Sequence, residues 1–176
     1  LKKIGLGVTL ATSIAFLRYN PENPFYVKVP EGKTYGIIIS GIVEVERGAT
    51  FNGLILSLMT KNKGKVNGVL ISGINKYGDE YGNEYGNESI TNGVGVALEN
   101  ISNDGADYSF NGIQVGLGNK ADKLNGIQIG VFGNDAYKLN GIQIGAGINL
   151  AYKGKTFQIG FINSNGDGCA ALLFCP

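Results

Sequence analysis

Asn111-Gly-Ile-Gln-Val-Gly116, Asn125-Gly-Ile-Gln-Ile-Gly130 and Asn140-Gly-Ile-Gln-Ile-Gly145 are near-copies of one six-residue phrase. A fourth copy, Thr156-Phe-Gln-Ile-Gly160, keeps the ending and lacks the Asn-Gly start. Aligning on that start finds degenerate copies at Gly36 (after Tyr35), Gly53, Gly68 and Gly93. Successive starts lie 17, 15, 25, 19, 14, 15 and 15 residues apart, giving eight copies with a basic period near 15. Self-similarity at a short fixed period is the signature of a repeat architecture.

Each copy alternates with period two, which is a strand pattern. One residue after the start stand Ile37, Leu54, Val69, Val94, Ile113, Ile127, Ile142 and Phe157. Three after it stand Ile39, Leu56, Ile71, Val96, Val115, Ile129, Ile144 and Ile159. The next position stays small, from Ser40, Ser57 and Ser72 through Ala97 to Gly116, Gly130, Gly145 and Gly160. The slot between the two apolar positions changes along the chain: Ile38, Ile55 and Leu70, then Gly95, then Gln114, Gln128, Gln143 and Gln158. The reading expects the apolar stripe as the buried face and a flat Gly/Gln face on display.

One copy is too small to fold alone. Two to four buried side chains contribute about 1.5–3 kcal/mol each, whereas ordering roughly 15 residues costs about 1–2 kcal/mol apiece. Stacking on neighbours, as in solenoids, closes that gap. Two all-β architectures satisfy the pattern: a β-solenoid of about eight coils, or an antiparallel β-meander or barrel. The solenoid is favoured, because identical residues at identical phase are what in-register parallel stacking selects, with Asn and Gln ladders stabilising it.

The rest of the chain is read around this array. Residues 1–17 form a signal-like or anchor segment, since Lys2 and Lys3 precede the apolar stretch Ile4 to Leu17. Residues 18–34 are a lead-in, 35–163 the array, and 164–176 a C-terminal cap. Insertions near 76–90 and 101–109 account for the two long spacings. The first holds a unit copied three times, Tyr77-Gly-Asp-Glu-Tyr-Gly-Asn-Glu-Tyr-Gly-Asn-Glu88. Tyr77, Asp79, Glu80, Tyr81, Glu84, Tyr85 and Glu88 make it a candidate interaction loop, because binding concentrates on loops held by rigid scaffolds. A solvated slippage product is the plainer alternative.

Composition narrows the function. Glycine numbers 29 and asparagine 19, which signals frequent chain reversal, and 43% hydrophobic content argues against disorder. A net charge of +1 argues against nucleic acid as a partner. With no histidine, the commonest general base and transition-metal ligand is missing. No catalytic, cofactor or metal site is assigned. Asn163-Ser-Asn-Gly-Asp-Gly168 imitates the start of a calcium loop, but its twelfth position is Phe174 where Glu is needed, so it reads as a turn. Cys169 and Cys175 form either a disulfide pinning the last coil or two buried thiols.

The Asn-Gly-Ile-Gln-Ile-Gly copies, with Ala121, Ala136 and Ala151 in the connections, resemble the bacterial surface-repeat proteins first noted in Leptospira. The likeness runs from about Tyr35-Gly36 to Gln158-Ile-Gly-Phe-Ile-Asn163. It implies an extracytoplasmic place at the cell surface or envelope and no catalytic residues. The expected function is a non-enzymatic surface or structural scaffold for protein interaction or self-assembly, with membrane association through residues 1–17. The alternative is a membrane β-barrel or pore component.

Overall fold

A computed structural model describes residues 18–19, 25–78, 89–102, 108–166 and 168–175. Every element in them is a strand: β1 (Arg18–Tyr19), β2 (Tyr26–Val29), β3 (Gly32–Val45), β4 (Ala49–Asn62), β5 (Lys65–Tyr77), β6 (Ser89–Ser102), β7 (Tyr108–Gly145), β8 (Ile148–Lys153), β9 (Thr156–Asn165) and β10 (Ala170–Cys175). From β2 to β9 the pairing is parallel and follows chain order. An antiparallel meander or barrel joins sequence neighbours the other way round. The fold is therefore the β-solenoid, and the meander or barrel alternative is set aside. Eight rungs are joined by about seven turns, and the insertions lift the mean period to near 17 residues.

Register is kept residue for residue. Gly36 pairs with Gly53, Gly53 with Gly68, Gly68 with Gly93 and Gly93 with Gly112. These glycines, with Gly126 and Gly141, share a φ between +134° and +152°, a region that side chains disfavour. Stacking adds a second reason. A Cβ on Gly53 would overlap the carbonyl oxygen of Gly36, and the same clash recurs at each later glycine of the column. Only at Gly36, where the column begins, is the space open.

The structure inverts the expected faces. The changing slot points inward: Ile38, Ile55 and Leu70 are buried, and Gln114, Gln128, Gln143 and Gln158 are 0% exposed. The apolar columns on either side face outward, with Ile39 at 75%, Ile129 at 40% and Ile144 at 39%. The Gly/Gln face expected on display is thus the lining of the solenoid. The reason lies in hydrogen bonding, since a buried amide is costly only when unpaired. Here they are paired along the column: Gln128 donates to Gln114 at 2.9 Å, Gln143 to Gln128 at 2.8 Å and Gln158 to Gln143 at 2.7 Å. Only the two ends of the column, Gln114 Nε2 and Gln158 Oε1, are left without a partner among the described residues.

Across the thin interior stands a second amide column, Asn75, Asn100, Asn119, Asn134, Asn149 and Asn163, linked rung to rung at 2.7–2.9 Å. Asn119, Asn134 and Asn149 also donate to the carbonyls of Ile129, Ile144 and Ile159, tying the two sides of the coil together. Apolar columns complete the core. Phe51, Val66, Phe110, Leu124 and Leu139 are buried before the Asn-Gly start, and Ala121, Ala136 and Ala151 occupy the second strand.

Candidate interaction face

The outward residues of the first strand of each coil build one surface. In-register pairing puts Ile37 beside Leu54, Leu54 beside Val69, and so on into Ile113, while Ile39, Leu56, Ile71, Val96 and Val115 run parallel to them. Further on, Ile142 pairs with Phe157 and Ile144 with Ile159. Two apolar columns, eight rungs long and free of charged side chains, therefore lie side by side on one sheet. Exposed Leu58, Leu98, Leu117, Phe132 and Phe161 extend the surface around the next corner.

Its other border is polar. Asn52, Asn67, Asn92, Asn111, Asn125 and Asn140 bond side chain to side chain at 2.7–3.0 Å, forming an amide ladder at the surface. The second strands present a different exterior. Lys61 and Lys76 are neighbours there, the buried Glu44 beside Lys61 is paired with Lys63 at 2.9 Å, and Lys153 donates to the Tyr137 hydroxyl at 2.9 Å. That bond holds the Lys153 ammonium above its ordinary pKa. The molecule is thus two-sided: the columns of one sheet are wholly apolar, whereas the other mixes charged Lys61, Lys76 and Lys153 with exposed Ile148, Ile162, Tyr137 and Tyr152.

The candidate loop residues do not form one unit. Tyr77 is in the core: it is fully buried, stacks on Tyr108 at 4.5 Å and donates its hydroxyl to Asn100 at 2.9 Å. It is unavailable to a partner, which corrects its reading as a loop residue. Its hydroxyl comes within reach of the space that a side chain on Gly95 would need, which explains why the inward column has a glycine at that rung. Burial holds both phenols well above their ordinary pKa, reinforced for Tyr108 by the nearby charge of Tyr77. Asp79, Glu80, Tyr81, Glu84, Tyr85 and Glu88 lie outside the described residues.

At the C-terminal end β10 turns back antiparallel on β9. Cys169 and Cys175 are joined as a disulfide, with Cα atoms 6.1 Å apart. Cys175 is buried and pairs with Gln158, so it occupies the next place in the glutamine column. Asn163, read in sequence as part of a turn, is instead the last member of the inner asparagine ladder, and the chain turns at Gly166.

An open groove of about 510 Å³ lies at a corner where Gly118 and Gly133 leave room between Glu99, Phe132 and Ile148. Among the described residues, no group of three His, Cys, Asp or Glu side chains is placed to hold a metal ion. Sequence reading missed the inner asparagines, although a signal was present: they recur seven or eight residues after the glycine starts. Comparisons with protein-family models, curated proteins and solved structures return no match to the chain.

Proposed function

We propose that this protein is a non-enzymatic structural scaffold of the cell surface or envelope, and that it works by protein interaction or assembly. The observation that carries the reading is the apolar outer face. Interior burial is already provided by the inward columns, so the exposed Ile, Leu and Val columns are surplus to the fold. Large contiguous apolar surfaces mark interaction sites. A rigid, in-register sheet is also a preorganised one, and preorganisation reduces the ordering cost of binding.

The extracytoplasmic placement rests on two supports. One is the disulfide, which persists in oxidising compartments. The other is the likeness of the Asn-Gly-Ile-Gln-Ile-Gly copies to bacterial surface-repeat proteins. The insertion carrying Asp79, Glu80, Tyr81, Glu84, Tyr85 and Glu88 is a secondary contact element in this reading.

Flotation of the full chain with neutral and anionic vesicles tests the proposal. A protein-binding scaffold floats no better with its apolar face intact than with Ile113→Lys and Ile129→Lys in it, whatever residues 1–17 contribute. Recovery with the vesicles, abolished by Ile113→Lys and Ile129→Lys, would assign the face to lipid and contradict the reading.

A further inference from the structure

The scaffold reading leaves open what covers the apolar face, and three features of that face bear on the answer. The first is its period. Rungs of a cross-β stack repeat every 4.7–4.9 Å or so, and rows of side chains repeat with them. Only a surface with the same spacing interdigitates along all eight rungs, as paired sheets do in dry steric zippers. A lipid surface has no such period.

The second feature is charge. No charged side chain stands in the two columns, so two such faces meet without like-charge repulsion. Lys61 and Lys76 lie on the opposite sheet, while Lys33, Lys65 and Lys155 stand at the border of the face, by the amide ladder, where they fall in the rim and not between the columns. Two faces pressed together leave both charged sheets in water, and the amide ladder of Asn92, Asn111 and Asn125 becomes part of a polar rim. An apolar centre inside a polar rim is ordinary interface anatomy.

The third feature is area. Eight rungs span about 34 Å and two to three columns about 15–20 Å, so each copy offers on the order of 500–700 Å². A pair would bury roughly 1,000–1,400 Å² in total, above the threshold of about 1,000 Å² for a specific interface.

We propose that the apolar face is self-complementary and is closed in solution by the same face of a second copy, related by a two-fold axis. This rests on the scaffold reading and names its partner. An isologous contact of this kind is satisfied at two chains and does not propagate.

Light scattering on a sizing column, with the full chain free of detergent, tests the pairing. The expected mass is twice the 18.6 kDa of one chain. Ile129→Lys combined with Ile144→Lys should halve it. Tyr137→Lys combined with Tyr152→Lys, on the charged sheet, should leave it unchanged. Because Ile129 and Ile144 point outward, the variant should retain the β-sheet circular dichroism of the parent. A parent at monomer mass, a dimer that persists in the face variant, or species larger than two chains would each overturn the pairing. A monomeric parent that stays out of vesicles loses only the second copy as partner. One that floats with them only while the face is intact loses the scaffold reading as well; flotation that persists in the face variant belongs to the apolar stretch Ile4 to Leu17 and again loses only the second copy.

Discussion

In the first three rungs the inward slot holds Ile38, Ile55 and Leu70; in the last four it holds Gln114, Gln128, Gln143 and Gln158. The backbone is the same in both regions, with paired glycines at the same phase and apolar columns outside. The early rungs are stabilised by removing hydrocarbon from water. The late ones line up amides that satisfy one another from rung to rung. The change falls at the rung of Gly95, where Tyr77, Tyr108 and Phe110 fill the space. Both insertions also leave the array there, between β5 and β6 and between β6 and β7. An in-register stack can thus change its interior chemistry, provided each slot is either apolar or paired.

The largest effect should be indifferent to that boundary. Gly68→Ala in the apolar region and Gly126→Ala in the amide region each drive a methyl group into a neighbouring carbonyl oxygen at an unfavourable φ. Each should cost about 4 kcal/mol in denaturant unfolding. Gly36→Ala, with open space, should cost only the backbone strain, about 1 kcal/mol. Unequal losses at Gly68 and Gly126 would mean that the two regions do not share one backbone.

Interior substitutions should separate the regions. Leu70→Ala opens a cavity and should cost about 2–5 kcal/mol. Gln128→Leu leaves the Gln114 oxygen without its donor and the Gln143 amide without its acceptor on that side, a loss of about 1–3 kcal/mol. Replacing Gln114, Gln128, Gln143 and Gln158 together by Leu should recover the amide–amide part of that loss, because both partners of each such bond become apolar, and leave only the carbonyls of Asp135, Leu150 and Ser164 short of a donor. If the fourfold variant lost four times the single penalty, the ladder account would be wrong.

The junction should respond to alkali. Burial raises the folded-state pKa of Tyr77 and Tyr108 above the unfolded value near 10. Such phenols stabilise the fold fully below pH 10, and the contribution is lost as pH rises beyond it. Stability should fall by about 1.4 kcal/mol per pH unit for each tyrosine above that point. Tyr77→Phe with Tyr108→Phe should flatten the slope; an unchanged slope would place the alkaline transition elsewhere.

The smallest effect belongs to the cap. The loop closed by Cys169 and Cys175 is short, so reduction should remove about 2 kcal/mol. Faster amide exchange should be confined to β10 and the end of β9. Exchange spreading back into β6 would show that the cap holds the whole array.

How much of this was legible follows from the residues themselves. The coil count and phase were readable because Asn-Gly recurs with so few exceptions, and the glycine is dictated twice, by φ and by the carbonyl of its neighbour. The polarity of the sheet was not. Hydrophobicity alone sends Ile113 and Ile129 inward and Gln114 and Gln128 outward, and only the cross-rung hydrogen bonds reverse that order. One clue was available: Ile38, Ile55 and Leu70 share the phase of the glutamines, and an in-register stack must point them all the same way. Tyr77 was misplaced because it opens an acidic repeat in sequence, whereas in the fold its ring pairs with Tyr108 on the far side of β6.

The in-register parallel coil is the claim on which everything else depends, and a distance between spin labels at Lys33 and Lys123 tests it most directly. The column passes from Lys33 through Thr50, Lys65, Ile90 and Ser109 to Lys123, five rungs on. At about 4.8 Å per rung the backbone separation should be close to 24 Å, measured in labelled protein diluted with unlabelled chains. A distance near that value supports the solenoid. An antiparallel stack would put the two sites at opposite ends of their strands, and a separation of about 40 Å would contradict the account.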